Sequence, residues 1–134
     1  MDNQIIITDL DGTLSNYEQR EYFYKKQMYD EFNKMAAGDT PIEEICNILR
    51  RLKDEETDIY VVTAREEVYR QLTENWLNIY EIPFDKLLMR KQGDERSDAK
   101  VKLDLYKENV HDQDHVWFVL EDRSVCVSMW RSIG

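Results

Sequence analysis

The stretch Ile5-Ile6-Ile7-Thr8-Asp9-Leu10-Asp11-Gly12-Thr13-Leu14 decides the fold of this 134-residue chain. Its first half is β-branched and apolar without alternation, the pattern of a strand buried on both faces. Its second half sets two aspartates one residue apart and follows them with Gly-Thr. Both carboxylates therefore leave the carboxyl end of a buried strand, where open α/β sheets bind their ligands. Carboxylates this close repel each other unless a cation lies between them. Hard oxygen donors suit Mg²⁺, which takes one or two carboxylates, several waters and a substrate phosphate. Gly12 permits a turn that a Cβ would hinder. The chemistry on offer is a metal site with one aspartate free to act as a nucleophile; the plain alternative is an acidic turn after a strand.

Working outward, the pattern alternates strands and helices. Residues 15 to 37 are polar and aromatic (Tyr17, Tyr22, Phe23, Tyr24, Tyr29, Phe32), and 21 to 36 are expected to be helical, with Met28, Phe32 and Met35 at helical spacing. Asp39-Thr40-Pro41 reads as a helix start, with Asp39 or Thr40 capping and Pro41 at the first position. Ile42, Ile45, Cys46, Leu49 and Leu52 then form one apolar face. Ile59 to Val62 is a second strand. Glu66 to Tyr80 is expected as a helix burying Val68, Leu72, Trp76 and Ile79. Lys86 to Met89 and Val116 to Leu120 are further strands. A helix capped by Ser97 or Asp98 runs to Asn109, a loop spans His111 to His115, and a last helix covers Ser124 to Ile133. This alternation predicts a parallel sheet with right-handed crossovers.

Polar candidates fall just past the strand ends. Thr63-Ala64-Arg65 is expected to open a helix, where a hydroxyl and backbone N–H groups make an anion site. Lys100 and Lys102 lie near the start of the fourth helix, and Glu121-Asp122 ends the fourth strand.

The first stretch resembles the D-x-D-G-T motif of the haloacid dehalogenase-like superfamily. The resemblance implies a Rossmann-like α/β/α three-layer sandwich around a central parallel sheet. A small cap-like helical insertion at 15–40 would follow the first strand, all within one domain spanning 1–134. It implies Mg²⁺-dependent phosphomonoester hydrolysis through an aspartyl-phosphate. Asp9 would be the nucleophile and Asp11 the general acid, with a covalent intermediate splitting one hard step into two easier ones. Thr63 would bind the transferring phosphoryl oxygen, and Ala64 and Arg65 would line the same substrate site. The acidic pair would complete a metal set of Asp9, Asp11 and Asp122, with Glu121 beside it.

The segment Leu88-Met89-Arg90-Lys91-Gln92-Gly93-Asp94-Glu95-Arg96-Ser97-Asp98 narrows the resemblance to the 3′-phosphatase domain of phage-type polynucleotide kinases. Asp122-Arg123, Met129 to Gly134 and Ser15 to Arg20 are similar to that branch as well. The carry-over places the motif lysine at Lys102 and adds Arg65, Arg90 and Arg96 as cations around the substrate. Arginine offers a planar fork for phosphate and a face for stacking on a base. Relatives usually continue into another strand after the position of Gly134; the expectation is either a naturally short protein or an edge that a partner or neighbouring domain supplies. The implied substrate is a 3′-phosphorylated polynucleotide end. A free nucleotide or small metabolite on the same chemistry remains open, as does a catalytically idle phosphate-binding module of a larger repair protein.

Size and charge bound these readings. A length of 134 residues fits one domain with a real core. No apolar run approaches the roughly 18 residues of a membrane span, and Met-Asp-Asn-Gln does not begin a signal peptide. Membrane partners are thus not expected. The net charge of −10 argues against a nonspecific nucleic-acid coat. Residues 65 to 102, however, carry eight basic and eight acidic residues, so the whole excess lies elsewhere. Cys46 and Cys126 read as buried free thiols, which fits a cytoplasmic setting, including the host cytoplasm for a phage-encoded protein. With no G-x-x-x-x-G-K-[ST], this chain holds no kinase half of that kind.

Overall fold

A computed structural model describes residues 3–111 and 115–134. Among the described residues, six strands and six α-helices follow one another in chain order. They are β1 (Gln4–Thr8), β2 (Ser15–Asn16), α1 (Glu21–Lys25), α2 (Tyr29–Lys34), β3 (Thr40–Pro41) and α3 (Glu43–Leu52). Then come β4 (Thr57–Glu66), α4 (Arg70–Ile79), β5 (Lys86–Arg90), α5 (Asp98–Asn109), β6 (His115–Leu120) and α6 (Ser124–Ser132). The main sheet has the order β5-β4-β1-β6 with every pair parallel.

β1 sits inside this sheet, and its isoleucines divide between two cores. Ile6 points into a cluster with Cys46 and Leu49 of α3, Trp76 and Leu77 of α4, and Leu87 and Met89 of β5. Ile5 and Ile7 point the other way, against Val101 and Leu105 of α5 and Cys126 and Trp130 of α6. The unalternated run thus has its expected cause: helices cover both faces, and the fold is a three-layer α/β/α sandwich. Both thiols are buried and free. Among the described residues, no helix is long and apolar enough to cross a membrane.

Residues 15–40 pack over the carboxyl end of β1. β2 and β3 pair antiparallel and close this segment at its base. The single helix expected over 21–36 is two short ones, broken where Gln27 takes a left-handed φ of 57°. Phe32 and Ala36 are buried, whereas Met28 and Met35 are exposed, so no continuous apolar face exists to hold one long helix.

Three further expectations are corrected. Asp39-Thr40-Pro41 does not start a helix: Thr40 and Pro41 pair with Asn16 and Ser15, and α3 begins at Glu43 with no side-chain cap. Thr63-Ala64-Arg65 does not open a helix either. β4 runs on to Glu66, with a register shift between Thr63 and Glu66, and α4 begins only at Arg70. α4 buries Thr73, Trp76 and Leu77 and leaves Ile79 exposed, and Val68 falls in the turn before it and is exposed as well. Ser97 does cap α5, accepting from the Lys100 backbone N–H at 3.3 Å. Residues 112–114 of the expected His111–His115 loop lie outside the described residues.

Candidate functional site

β1 and β6 end side by side, and their last residues carry the acids. The Asp9 backbone N–H donates to the Leu120 carbonyl at 2.8 Å, extending the ladder one residue past β1. Asp9 is thereby fixed at the sheet rim, 6% exposed. After it the chain folds tightly on itself: Leu14 N–H donates to the Leu10 carbonyl at 2.9 Å and Gly12 N–H to that of Ser15 at 2.8 Å. Gly12 has φ 85°. A Cβ there would fall on the carboxylate of Asp122, so glycine is needed both for the turn and for the close approach.

Asp9, Glu121 and Asp122 each direct a carboxylate oxygen into one cluster, all within 4.8 Å of one another. The cation facing them is Lys102, a buried side chain projecting from the first turns of α5. Its Nζ donates to Asp9 Oδ1 at 2.9 Å and to Glu121 Oε1 at 2.8 Å. Thr13 Oγ1 donates to Asp9 Oδ2 at 3.2 Å, and the Trp130 indole to Glu121 Oε1 at 3.2 Å. Burial outweighs Lys102 and lifts the Asp9 carboxyl to about 6. Burial and the Asp9 charge raise Glu121, while the two carboxylates together raise Lys102 against its own desolvation.

Three carboxylates facing one ammonium leave an excess of negative charge, and hard oxygen donors of this kind fit Mg²⁺. Asp9 and Asp122 are the better placed to hold it. Glu121 is already engaged through Oε1 by Lys102 and Trp130, and through Oε2 by the Asp122 backbone N–H at 3.2 Å.

Asp11, expected among the metal ligands, holds its carboxylate outside this cluster. Two guanidinium groups claim it. Arg65 Nη2 donates to Asp11 Oδ1 at 2.6 Å, and Arg20 Nη2 donates to the same oxygen. Despite the cost of burial, Arg65 and Arg20 hold the Asp11 carboxyl below its usual range. No described residue hydrogen-bonds Oδ2, and the side chain is about a quarter exposed, at 26%.

Thr63 is buried beside this group, with its hydroxyl accepting the Arg65 backbone N–H at 3.1 Å. This is an irregular stretch within β4, not the helix N-terminus expected. Ala64 gives its carbonyl to Arg90 Nε at 2.7 Å. Arg65 Nη1 donates to Thr73 Oγ1 at 2.8 Å, and its buried Nε has no partner among the described residues. An unmet buried donor of this kind costs about 1–3 kcal/mol.

Two expected substrate cations are placed otherwise. Arg90 Nη1 donates to the carbonyls of Asp94 and Arg96 at 2.8 and 2.6 Å, and Nη2 to Asp98 at 2.6 Å. Its guanidinium is thus spent on holding the 91–97 loop. Arg96 pairs at the surface with Asp94 and Asp104. The structure brings together Asp9, Asp11, Thr63, Arg65, Lys102, Glu121 and Asp122; Arg90 reaches them only through the backbone carbonyl of Ala64, and Arg96 is paired at the surface.

Arg20 was not among the expected site residues. It is fully buried, with its guanidinium carbon 4.1 Å from the centre of the Phe32 ring. It lies in a polar aromatic stretch without periodicity. The available signals were the resemblance of Ser15 to Arg20 to the phosphatase branch and an arginine set among several aromatic residues.

The profile of the family described as the polynucleotide kinase PNKP phosphatase domain matches residues 3–134. A chain of the Pnkp1/Rnl/Hen1 complex is similar at 32% identity and a TM-score of 0.84, over 97% of this chain and 42% of that one. A chain of the Pnkp1/Rnl/Hen1 RNA repair complex gives 32% identity and 0.84, over 96% and 39%. This chain therefore spans about two fifths of the length of those relatives. A hydrolase from Streptococcus pneumoniae TIGR4 shares the fold at 13% identity and a TM-score of 0.59, over 98% of this chain and 89% of that one.

Proposed function

The chain belongs to the polynucleotide kinase phosphatase domain family of haloacid dehalogenase-like phosphatases, and from that premise we propose that it removes 3′-phosphates from polynucleotide ends through an aspartyl-phosphate. The observation that carries the mechanism is the separation of Asp9 from Asp11. Asp9 lies in the acidic cluster against Lys102, whereas Asp11 stands outside it, pinned through Oδ1 with Oδ2 unclaimed. Two neighbouring carboxylates in unlike surroundings suit two unlike tasks.

In the first step a carboxylate oxygen of Asp9 bonds to phosphorus while the bond from phosphorus to the 3′-oxygen breaks. Asp11 gives its proton to that departing oxygen. In the second step water attacks the same phosphorus, Asp11 takes the proton from the water, and the Asp9 oxygen leaves with its electron pair. Inorganic phosphate and the free enzyme result. Lys102 and the Thr63 hydroxyl hold phosphoryl oxygens. Mg²⁺ held by Asp9 and Asp122 would offset the charge between carboxylate and phosphate.

Asp11 is held ionised without substrate. An incoming phosphate dianion beside it opposes that charge and favours the proton the first step requires. The polynucleotide end is favoured over a free nucleotide by two observations. The family match spans residues 3–134, and the 15–40 insertion is short. Assay of a 3′-phosphorylated oligonucleotide beside 3′- and 5′-mononucleotides, with Mg²⁺ and with EDTA, tests the proposal. Preference for the oligonucleotide, lost in EDTA, supports it; equal or better turnover of mononucleotides overturns the substrate assignment.

A further inference from the structure

We propose that Asp39 is a positioning residue for proton transfer by Asp11, acting through Arg20; the inference rests on Asp11 being the acid. Asp39 is 1% exposed and ends the helical insertion just before β3. Its carboxylate takes one edge of the Arg20 fork: Nε donates to Oδ1 at 2.9 Å and Nη2 to Oδ2 at 2.7 Å. Nη1 of Arg20 donates to the Phe32 carbonyl at 3.2 Å. That leaves Nη2 as the nitrogen that reaches Asp11, and it reaches Oδ1 alone.

The consequence lies in the fork geometry. A guanidinium free to choose grips a carboxylate with two parallel hydrogen bonds, one to each oxygen. Such a grip on Asp11 would cover Oδ2, the oxygen left for the departing group. By claiming the Nε/Nη2 edge, Asp39 restricts Arg20 to a single contact with Asp11. Arg65 meets the same Oδ1 from the core side, so the carboxylate is oriented from two directions with one face open. The group is balanced as well: Asp11 and Asp39 face Arg20 and Arg65, two charges of each sign.

Asp39 is itself anchored from both sides. Gln19 Nε2 donates to its Oδ1 at 2.9 Å, and the Trp76 indole to its carbonyl at 2.9 Å. Insertion, sheet rim and α4 therefore meet at this one residue. An aspartate that merely capped α3 would need none of these contacts.

The test compares kcat and KM on a 3′-phosphorylated oligonucleotide and on p-nitrophenyl phosphate, whose leaving oxygen needs little protonation. For Asp39→Asn, kcat on the oligonucleotide should fall at least about tenfold, inside the roughly 10²–10⁴-fold that general acid catalysis supplies. KM and p-nitrophenyl phosphate turnover should change far less, and Asp39→Glu should recover part of the lost ratio. Gln19→Ala loosens Asp39 from the exposed side without threatening the fold, and should shift the same ratio in the same direction by a smaller factor. Trp76→Phe, which removes the carbonyl contact together with some core volume but leaves the Asp39 carboxylate its partners, should lower Tm and leave the ratio unchanged. Equal losses on both substrates, or an unmoved ratio in Gln19→Ala, would overturn the positioning role. The underlying mechanism fails separately if wild-type protein turns over neither substrate, or if Asp11→Asn shows no such leaving-group dependence.

Discussion

The carboxylate of Asp122 occupies the space that a side chain at position 12 would need, with Gly12 at φ 85° beneath it. The turn after β1 and the end of β6 are therefore built against each other. Gly12→Ala must both strain the backbone and displace Asp122. We expect a loss of about 1 kcal/mol or more in stability. Phosphatase activity should fall much further than that, with a weakened rise of Tm on adding Mg²⁺. A variant that kept wild-type activity would show that Asp122 need not sit where it does.

Lys102 touches both Asp9 and Glu121 and is 3% exposed. Removing one partner of such a buried group leaves uncompensated charge, at a cost of about 3–5 kcal/mol. Lys102→Met should therefore lower urea stability by this order. Adding Asp9→Asn should return part of it, because the orphaned carboxylate is then neutral. Strictly additive losses in the double-mutant cycle would contradict the coupling.

Arg90 and Arg96 should separate in experiment. Arg90 binds three carbonyls and Asp98, so Arg90→Ala should cost about 3 kcal/mol and open the 91–97 loop to limited proteolysis. Arg96 is paired at the surface, and Arg96→Ala should leave stability and KM near wild type. A large KM effect for Arg96→Ala would restore it to the substrate site.

Burial pushes the Cys46 and Cys126 thiols up to about 11. The folded state thus holds these protons more tightly than the unfolded chain, whose thiols titrate near 9. The associated stability is complete below pH 9 and is lost as the pH rises through 11. Native protein should resist iodoacetamide at pH 8 and react at both thiols once unfolded in urea. Labelling of native protein at the unfolded rate would place either thiol at the surface.

What could be read in advance followed the physics of local pattern. The run Ile5–Ile7 declared a doubly covered strand, and α5 was legible from its Ser97 cap. Asp9, Lys102 and Asp122 were expected together and do meet, because each lies at a strand end or first helical turn that topology brings to one rim. The failures share a cause. Asp39 carried every local mark of a helix cap, yet a buried arginine nineteen residues earlier claims its carboxylate. Thr63-Ala64-Arg65 looked like a helix start, yet the pull of Asp11 on Arg65 keeps the chain extended. Long-range ion pairs leave no periodic trace, so Arg20, Asp39 and the carboxylate placement of Asp11 emerged only from the fold.

The central claim, that Asp9 carries the phosphoryl group, is tested most directly by rapid acid quench. Wild-type protein with Mg²⁺ is mixed with an oligonucleotide bearing a labelled 3′-phosphate, and the quenched chain is mapped by peptide mass spectrometry. The account predicts a transient phosphoryl adduct on the peptide containing Asp9, absent from Asp9→Asn, which should fold but not turn over. Release of inorganic phosphate by Asp9→Asn at the wild-type rate would contradict it.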